Sequence, residues 1–178
     1  TVIWRENKPQ EEIILIADHY QVFTASHQSI SLYAYLHDND KALAKKYFKA
    51  TRSYIDLYSK LIAPYPYKKF ALVENSKQTG YGMPSFTLLG SRIIRFPFIL
   101  KTSYPHEVLH NWFGNGVYIR PDSGNWAEGL TTYLADHLLS EQMGKGGQYR
   151  LQELMKYSNY VNEKNDFPLD NFKDRDSM

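Results

Sequence analysis

The sequence contains no cysteine. This absence excludes disulfide bonds, thiolate zinc sites, a Cys redox pair and a cysteine nucleophile, so a bound metal would have to be held by His, Asp or Glu. The longest apolar runs, residues 13–17 and 96–100, fall far short of the roughly 20 residues that span a membrane. An excess of one charge is also lacking, because 21 Lys and Arg balance 19 Asp and Glu. We therefore expect no membrane segment in these residues and no nucleic-acid partner.

The length of 178 residues is enough for one domain with a hydrophobic core. No internal repeat or low-complexity stretch is present. The sequence begins at Thr1 without a signal sequence, so we expect either that a leader was removed or that the chain is a piece of a longer protein. A chain without cysteine suits oxidising and reducing compartments alike, and we prefer a periplasmic or secreted location to a cytoplasmic one.

Short strands are predicted in the first half of the chain. Residues 12–17, 20–25 and 29–36 are rich in aromatic or β-branched residues, and the last of these segments alternates between apolar and polar positions. Residues 69–74 predict a further strand. Residues 80–84 contain two glycines and a proline and are predicted as a loop, without the pattern of a phosphate-binding loop.

Helices are predicted from apolar side chains that recur every three or four residues. The first follows an acidic cap at residues 38–40 and ends before Pro64. Three more are predicted at about residues 103–115, 124–141 and 147–162.

The most informative stretch of the sequence is the run HEVLH at residues 106–110. On a helix, His106 and His110 are four residues apart and project from one face, so both imidazoles can bind one ion. Glu107 is then placed to act on a water held by that ion, which is the HExxH arrangement of zinc peptidases. Pro105 suits the first turn of this helix.

A third ligand is expected from another segment, and Glu128 is the best candidate. It lies near the start of the next predicted helix. Asn125 and Glu128 also have the spacing of a helix capping box, and taken alone the two interpretations stay open. Beside HExxH, the interpretation of Glu128 as a zinc ligand is favoured.

Residues 106–115, HEVLHNWFGN, resemble the active-site helix of the aminopeptidase N-like family of gluzincin zinc metallopeptidases, peptidase family M1. Residues 126–129, WAEG, resemble the family's second motif. The resemblance covers roughly residues 10–165. It implies an α+β fold, a fragment of a thermolysin-like zincin catalytic domain in which N-terminal strands precede an active-site helix pair and a further helix.

The resemblance also implies a function and a domain organisation. We expect one zinc ion per chain on His106, His110 and Glu128, a peptide substrate, and Glu107 as the catalytic base. The whole chain, 1–178, would be one catalytic-domain fragment, with strands to about residue 37, the zincin core over 38–165 and a polar tail over 166–178. A catalytic tyrosine and a further C-terminal domain would lie beyond the last residue.

The substrate loop of the family corresponds to Gly82, Met83 and Pro84, which are predicted to bind substrate. The family's loop carries a glutamate that holds the amino terminus of a substrate, and Pro84 stands in its place. Glu74 could substitute only if the loop folded back. The chain also has 17 residues between His110 and Glu128, one fewer than the family, a difference that the loop over residues 116–124 can absorb.

Other interpretations remain. The chain could be an inactive pseudo-peptidase that binds zinc and presents a groove to peptides or proteins, although retention of Glu107 argues against it. It could also be an interaction domain without zinc. Tyr157 and Tyr160 are local candidates for stabilising an oxyanion, but their spacing is typical of a packed helix. Asp136 could support a ligand histidine, but its position is not distinctive, and it is left out of the predicted site.

Overall fold

The centre of the molecule is a five-stranded mixed sheet. The computed structural model describes residues 13–120 and 122–173. The strands are β1 (Gln21–His27), β2 (Ile30–Leu36), β3 (Lys69–Asn75), β4 (Gly80–Met83) and β5 (Phe86–Gly90). They lie in the order β1-β2-β3-β5-β4; β2, β3 and β5 are parallel, whereas β1 and β4 pair antiparallel with their neighbours.

The first of the five described α-helices lies between β2 and β3, and the other four follow β5 in the chain. The five helices are α1 (Lys41–Leu61), α2 (Ser103–Leu109), α3 (Trp126–Thr131), α4 (Leu138–Gln142) and α5 (Gly146–Tyr160). A π turn, Thr132–His137, joins α3 to α4. Short 3-10 turns lie at Ile93–Arg95, Pro97–Lys101 and Leu169–Asn171. None of the helices in the described parts of the chain is long and apolar enough to cross a membrane.

Alternating side chains give the sheet two apolar faces. On β3, Phe70 and Leu72 join the main core with α1 and α2, whereas Ala71 and Val73 face the opposite side. Every second residue of β2 is buried in the main core. The sheet therefore supplies a packed floor beneath helix α2, which carries the candidate site.

Several elements confirm the sequence-based predictions. The strands predicted at 20–25, 29–36 and 69–74 are observed as β1, β2 and β3 with boundary shifts of one or two residues. Helix α1 begins after Asp40, whose Oδ1 accepts a hydrogen bond from the N–H of Leu43 at 2.8 Å, and it ends at Leu61, before Pro64. The α+β fold class is likewise confirmed.

Two predictions for the strand region are wrong. Residues 13–17 form no strand in the described part of the chain, and their side chains are exposed, with Ile13 at 97% and Leu15 at 79%; Glu12 lies outside the described residues. Residues 80–83, predicted as part of a loop, form the strand β4. Pairing with β5 outweighs the low strand preference of two glycines, and only Pro84 and Ser85 form the turn.

All four predicted helices are present in the described chain, but those predicted at 103–115 and 124–141 differ in extent. Helix α2 ends at Leu109 rather than at residue 115, because the side chain of Asn111 turns back to donate to the Val108 carbonyl and Gly114 adopts a positive φ of 97°. The helix predicted at 124–141 is interrupted by the π turn. The apolar side of α5 is exposed rather than packed.

Candidate metal centre

Helix α2 places two histidines side by side, as the HExxH spacing predicts. The ring centroids of His106 and His110 are 5.0 Å apart. His106 is buried and His110 is partly buried. The helix packs against β4 and β5 and against α1, so both rings project from a supported face rather than from a mobile surface.

Glu128, on α3, faces both histidines. Its Oε2 lies 3.4 Å from Nε2 of His106, and its Oε1 lies 3.2 Å from Nε2 of His110. One ligand atom from each of the three side chains lies within 4.8 Å of the others, so the group can hold a metal ion. The structure thus brings Glu128 together with the two histidines, and its role as a metal ligand stays a prediction.

The alternative interpretation of Glu128 as part of a capping box is half right. Asn125 caps α3, because its Oδ1 accepts a hydrogen bond from the N–H of Glu128 at 3.3 Å. In a full capping box the glutamate would accept from the N–H of Asn125. That N–H instead donates to the carbonyl of Phe172 at 2.7 Å, and the Glu128 carboxylate points to the histidines.

The outer nitrogen of each histidine also has an acceptor. Nδ1 of His106 lies 3.4 Å from Oδ2 of Asp136, and Nδ1 of His110 lies 3.1 Å from the carbonyl oxygen of Phe113. A proton on each Nδ1 would leave both Nε2 atoms directed at Glu128 as donors for a metal. Asp136 is therefore part of the site, although the sequence analysis left it out.

The electrostatics of the group favour a bound cation. Burial of the His106 ring opposes its protonation, but the carboxylates of Asp136 and Glu128 outweigh burial and raise the pKa of His106 to about 9. Hydrogen bonds from His106 and His110 lower the pKa of Glu128 far below its usual range. Because a metal ligand must be deprotonated, a cation entering this group would displace the proton on Nε2 of His106.

Glu107 lies on the side of α2 that faces β4. A Cβ atom built on Gly80 would be 3.1 Å from Oε1 of Glu107, and one built on Gly82 would be 2.8 Å from Cβ of His110. The two glycines thus allow the strand to approach the helix closely. Any larger residue at Gly82 would push against the helix that carries the histidines.

A polar network fixes the turn between β4 and β5 to the end of α2. Asn111 is fully buried, and its Oδ1 accepts hydrogen bonds from the N–H of Ser85 at 2.9 Å and from the hydroxyl of Tyr65 at 3.2 Å. Ser85 has a positive φ of 67°, and its Oγ accepts from Nζ of Lys69 at 2.6 Å. These contacts fix the position of the β4–β5 hairpin relative to the histidines.

Two cavities meet at this group of side chains. The first, of about 460 Å³, is lined by Gly80, Tyr81 and Gly82 of the edge strand together with His106, Glu107, His110 and Glu128. The second, of about 760 Å³, shares His106, Glu107 and Glu128 with the first and extends to residues of α4 and α5. We call the two together the cleft.

The remaining predicted site residues lie elsewhere. Of the three residues predicted to bind substrate, Gly82 lines the cleft, whereas Met83 packs on the far face of the sheet and Pro84 lies in the turn. Tyr157 and Tyr160 are exposed on α5 instead of packed, and neither is among the described residues that line the cleft.

The chain is similar to solved structures of an M1 zinc metallopeptidase and of LTA4 hydrolase. It matches the M1 zinc metallopeptidase from Deinococcus radiodurans with a TM-score of 0.58 and 18% identity over 89% of this chain and 36% of that one. A mutant of that enzyme bound to a Tyr-Ser-Ala substrate matches with a TM-score of 0.55 and 17% identity, over 86% and 35%. Native yeast LTA4 hydrolase matches with a TM-score of 0.59 and 19% identity, over 88% and 27%.

At these identities the likeness shows a shared fold, similar to part of an M1 zinc metallopeptidase. This chain spans between about a quarter and about a third of the length of these proteins. No protein-family model and no curated protein matches the chain.

Proposed function

We propose that this chain is the zinc-binding catalytic region of a metallopeptidase that hydrolyses peptide bonds. The observation that carries the proposal is the convergence of His106, His110 and Glu128 from two helices, with the Glu107 carboxylate lining the same cleft. The shared fold with M1 zinc metallopeptidases, one of which is solved with a tripeptide substrate, supports the same reaction class.

The three side chains fit a zinc ion in type, and each histidine lies at a ligand-like distance from a different oxygen of Glu128. Two imidazole nitrogens and one carboxylate oxygen form a donor set of catalytic zinc sites. Two ligand atoms that are each about 2.0–2.1 Å from a tetrahedral zinc are about 3.3–3.4 Å apart. The separations between Glu128 oxygens and the histidine Nε2 atoms are 3.4 and 3.2 Å. Zinc held there would lower the pKa of a bound water and polarise a substrate carbonyl.

Glu107 is the proposed general base. Glu107 lines both cavities and follows His106 directly in the helix, so it lies beside the proposed ligands without being one of the three that converge. In the proposed reaction a Glu107 carboxylate oxygen accepts a proton from the attacking water and returns it to the amine of the departing product. Proton transfer by a positioned group of this kind contributes about 10²–10⁴-fold to a rate.

The edge strand β4 is the proposed support for the substrate. Gly80, Tyr81 and Gly82 line the cleft, and in the described sheet β4 pairs on one side only, with β5. An extended peptide can bind along such an edge by main-chain hydrogen bonds. We therefore propose Gly82 as a substrate contact, while a substrate role for Met83 and Pro84 stays a prediction. The peptide substrate and a further C-terminal domain also remain proposals about the whole protein.

The test compares the full-length protein with its Glu107→Gln variant. We expect the wild type to cleave an unbiased peptide library, and the variant to keep its zinc but to lose about 10²–10⁴-fold in kcat/KM. Glu153→Gln, which changes a cleft-lining carboxylate paired with Lys156, is the control and should retain activity. A zinc-loaded wild type without peptide turnover would contradict the proposal and favour the inactive zinc-binding module.

A further inference from the structure

The π turn between α3 and α4 changes which side chains share a helix face. Asp136 lies inside this turn, eight residues after Glu128. In a regular α-helix, eight residues correspond to a rotation of about 800°, so the two carboxylates would point about 80° apart. A π turn accommodates one additional residue in the helix. The rotation from Glu128 to Asp136 is then that of seven regular residues, or about 700°. Glu128 and Asp136 therefore project in nearly the same direction.

Both carboxylates reach the same histidine. Glu128 contacts Nε2 of His106 and Asp136 contacts Nδ1 of the same ring, each at 3.4 Å. His110 differs, because its Nδ1 faces the neutral carbonyl of Phe113. The charge of Asp136 also acts on the buried Tyr58, because burial, followed by the charges of Tyr54 and Asp136, raises the pKa of Tyr58.

We propose that Asp136 is a positioning residue for the metal ligand His106, and that the π turn is the register change that brings it there. The inference rests on the proposed zinc site. A carboxylate that accepts the Nδ1 proton fixes the tautomer and the orientation of the ring and makes Nε2 a better donor. If the same eight residues formed a regular α-helix without the π turn, this carboxylate would point away from His106.

The first test measures zinc affinity in the full-length protein by competition with a chelator. We expect Asp136→Ala to weaken zinc binding about 10–100-fold and Asp136→Asn to weaken it less, because an amide oxygen still accepts the Nδ1 proton without the charge. The control Glu141→Gln removes a carboxylate of α4 that binds Arg150 at the surface, and it should leave the affinity unchanged.

A spectroscopic readout separates positioning from a structural role. In the zinc-loaded protein, the Nδ1 proton of His106 should give an NMR signal protected from exchange, and Asp136→Ala should lose that signal while the Nδ1 signal of His110 remains. Loss of both signals together would indicate a general loosening of the site and would overturn the proposal.

The register can be tested by changing the length of the π turn. Deletion of the exposed Tyr133 removes the additional residue, so Glu128 and Asp136 should stay on one face and zinc affinity should persist. Insertion of an alanine after Tyr133 should turn Asp136 away by about 100° and weaken zinc binding as Asp136→Ala does.

The outcomes distinguish this inference from the proposed function. If the wild type binds no zinc, the proposed function fails. If the wild type binds zinc and Asp136→Ala binds it equally well, only the inference about Asp136 is overturned. If Asp136→Ala weakens binding but the alanine insertion does not, the role of the π turn is overturned.

Discussion

Gly82 and His110 are in such close contact that a Cβ atom on Gly82 would lie only 2.8 Å from Cβ of His110. The same atom would also be 3.0 Å from the carbonyl oxygen of Glu107. Both neighbours belong to α2 or its C-terminal cap, so neither can move without displacing a proposed zinc ligand or the proposed base. The glycine at position 82 is therefore a packing requirement of the site.

Substitution Gly82→Ala should destabilise the protein by about 1–3 kcal/mol, because the added methyl group overpacks the contact between β4 and α2. It should also weaken zinc binding by displacing His110. The measurement is urea unfolding of the zinc-free protein, followed by chelator competition.

Gly129→Ala is the matched control for this prediction. A Cβ at Gly129 meets no atom within 4 Å, and the residue lies in α3, where alanine is favoured over glycine by about 0.5–1 kcal/mol. We expect this variant to be as stable as the wild type or more stable. If Gly82→Ala matched the wild type in urea unfolding and in chelator competition, the contact between β4 and α2 would not require glycine at position 82.

Protonation of Glu74 at acid pH should lower the free energy of unfolding. Its side chain is only 1% exposed. Burial alone would raise its pKa, but hydrogen bonds from Arg95, whose Nη1 lies 2.6 Å away, and from the N–H of His37 outweigh burial and hold the pKa of Glu74 below its usual value of 4.5. The stabilisation is thus complete above about pH 4.5 and is lost as the pH falls through the folded-state pKa.

The measurement is the free energy of unfolding of the wild type and of Glu74→Gln at several pH values. At pH 7 the variant should be less stable by about 1–3 kcal/mol, because Arg95 loses its charged partner. This difference should shrink below pH 4.5. Asp38→Asn, which removes the exposed partner of Arg95, should change little. If the difference in the free energy of unfolding between the wild type and Glu74→Gln stayed constant down to acid pH, ionised Glu74 would not be the source of the stabilisation.

A free amino terminus on the substrate should matter little to the full-length protein. Among the described residues that line the cleft, Glu128 and Asp136 contact the histidines, Glu153 is paired with Lys156, and Glu107 is the proposed base. Glu74 is bound to Arg95, so it does not substitute for a loop carboxylate. The two cavities also extend beyond the proposed zinc ligands, one to β4 and the other to α4 and α5.

Matched peptides with free and acetylated amino termini test this expectation. A charge-assisted contact is worth about 1.5–3 kcal/mol, which corresponds to about 10–100-fold. Without such an anchor, kcat/KM for the two peptides should agree within about tenfold. A drop of two orders of magnitude on acetylation would reveal a carboxylate anchor outside the contacts described above.

The sequence predicted those parts of the site that depend on regular geometry. The i, i+4 spacing of His106 and His110 needs only a helix, and the observed helix brings the rings together. The role of Glu128 stayed open in the sequence, because a glutamate three residues after Asn125 suits both a capping box and a zinc ligand. The structure separates them through the partner of the Asn125 N–H, a distant residue that local sequence does not indicate.

The sequence did not predict the parts that depend on irregular or long-range structure. Asp136 could not be assigned, because regular helical spacing places it on a different face from Glu128, and only the π turn realigns the two. Strand β4 was missed because its two glycines suggest a turn, whereas its pairing with β5 and its contact with α2 decide its conformation.

The most direct test of the account is the zinc content of the full-length protein purified without chelator. The account predicts about one zinc per chain in the wild type. His106→Ala and Glu128→Ala should each lose most of it, whereas Glu141→Gln should keep it. A wild type that takes up no zinc even when supplied with the metal, or a Glu128→Ala variant that retains the full amount, would contradict the proposed centre.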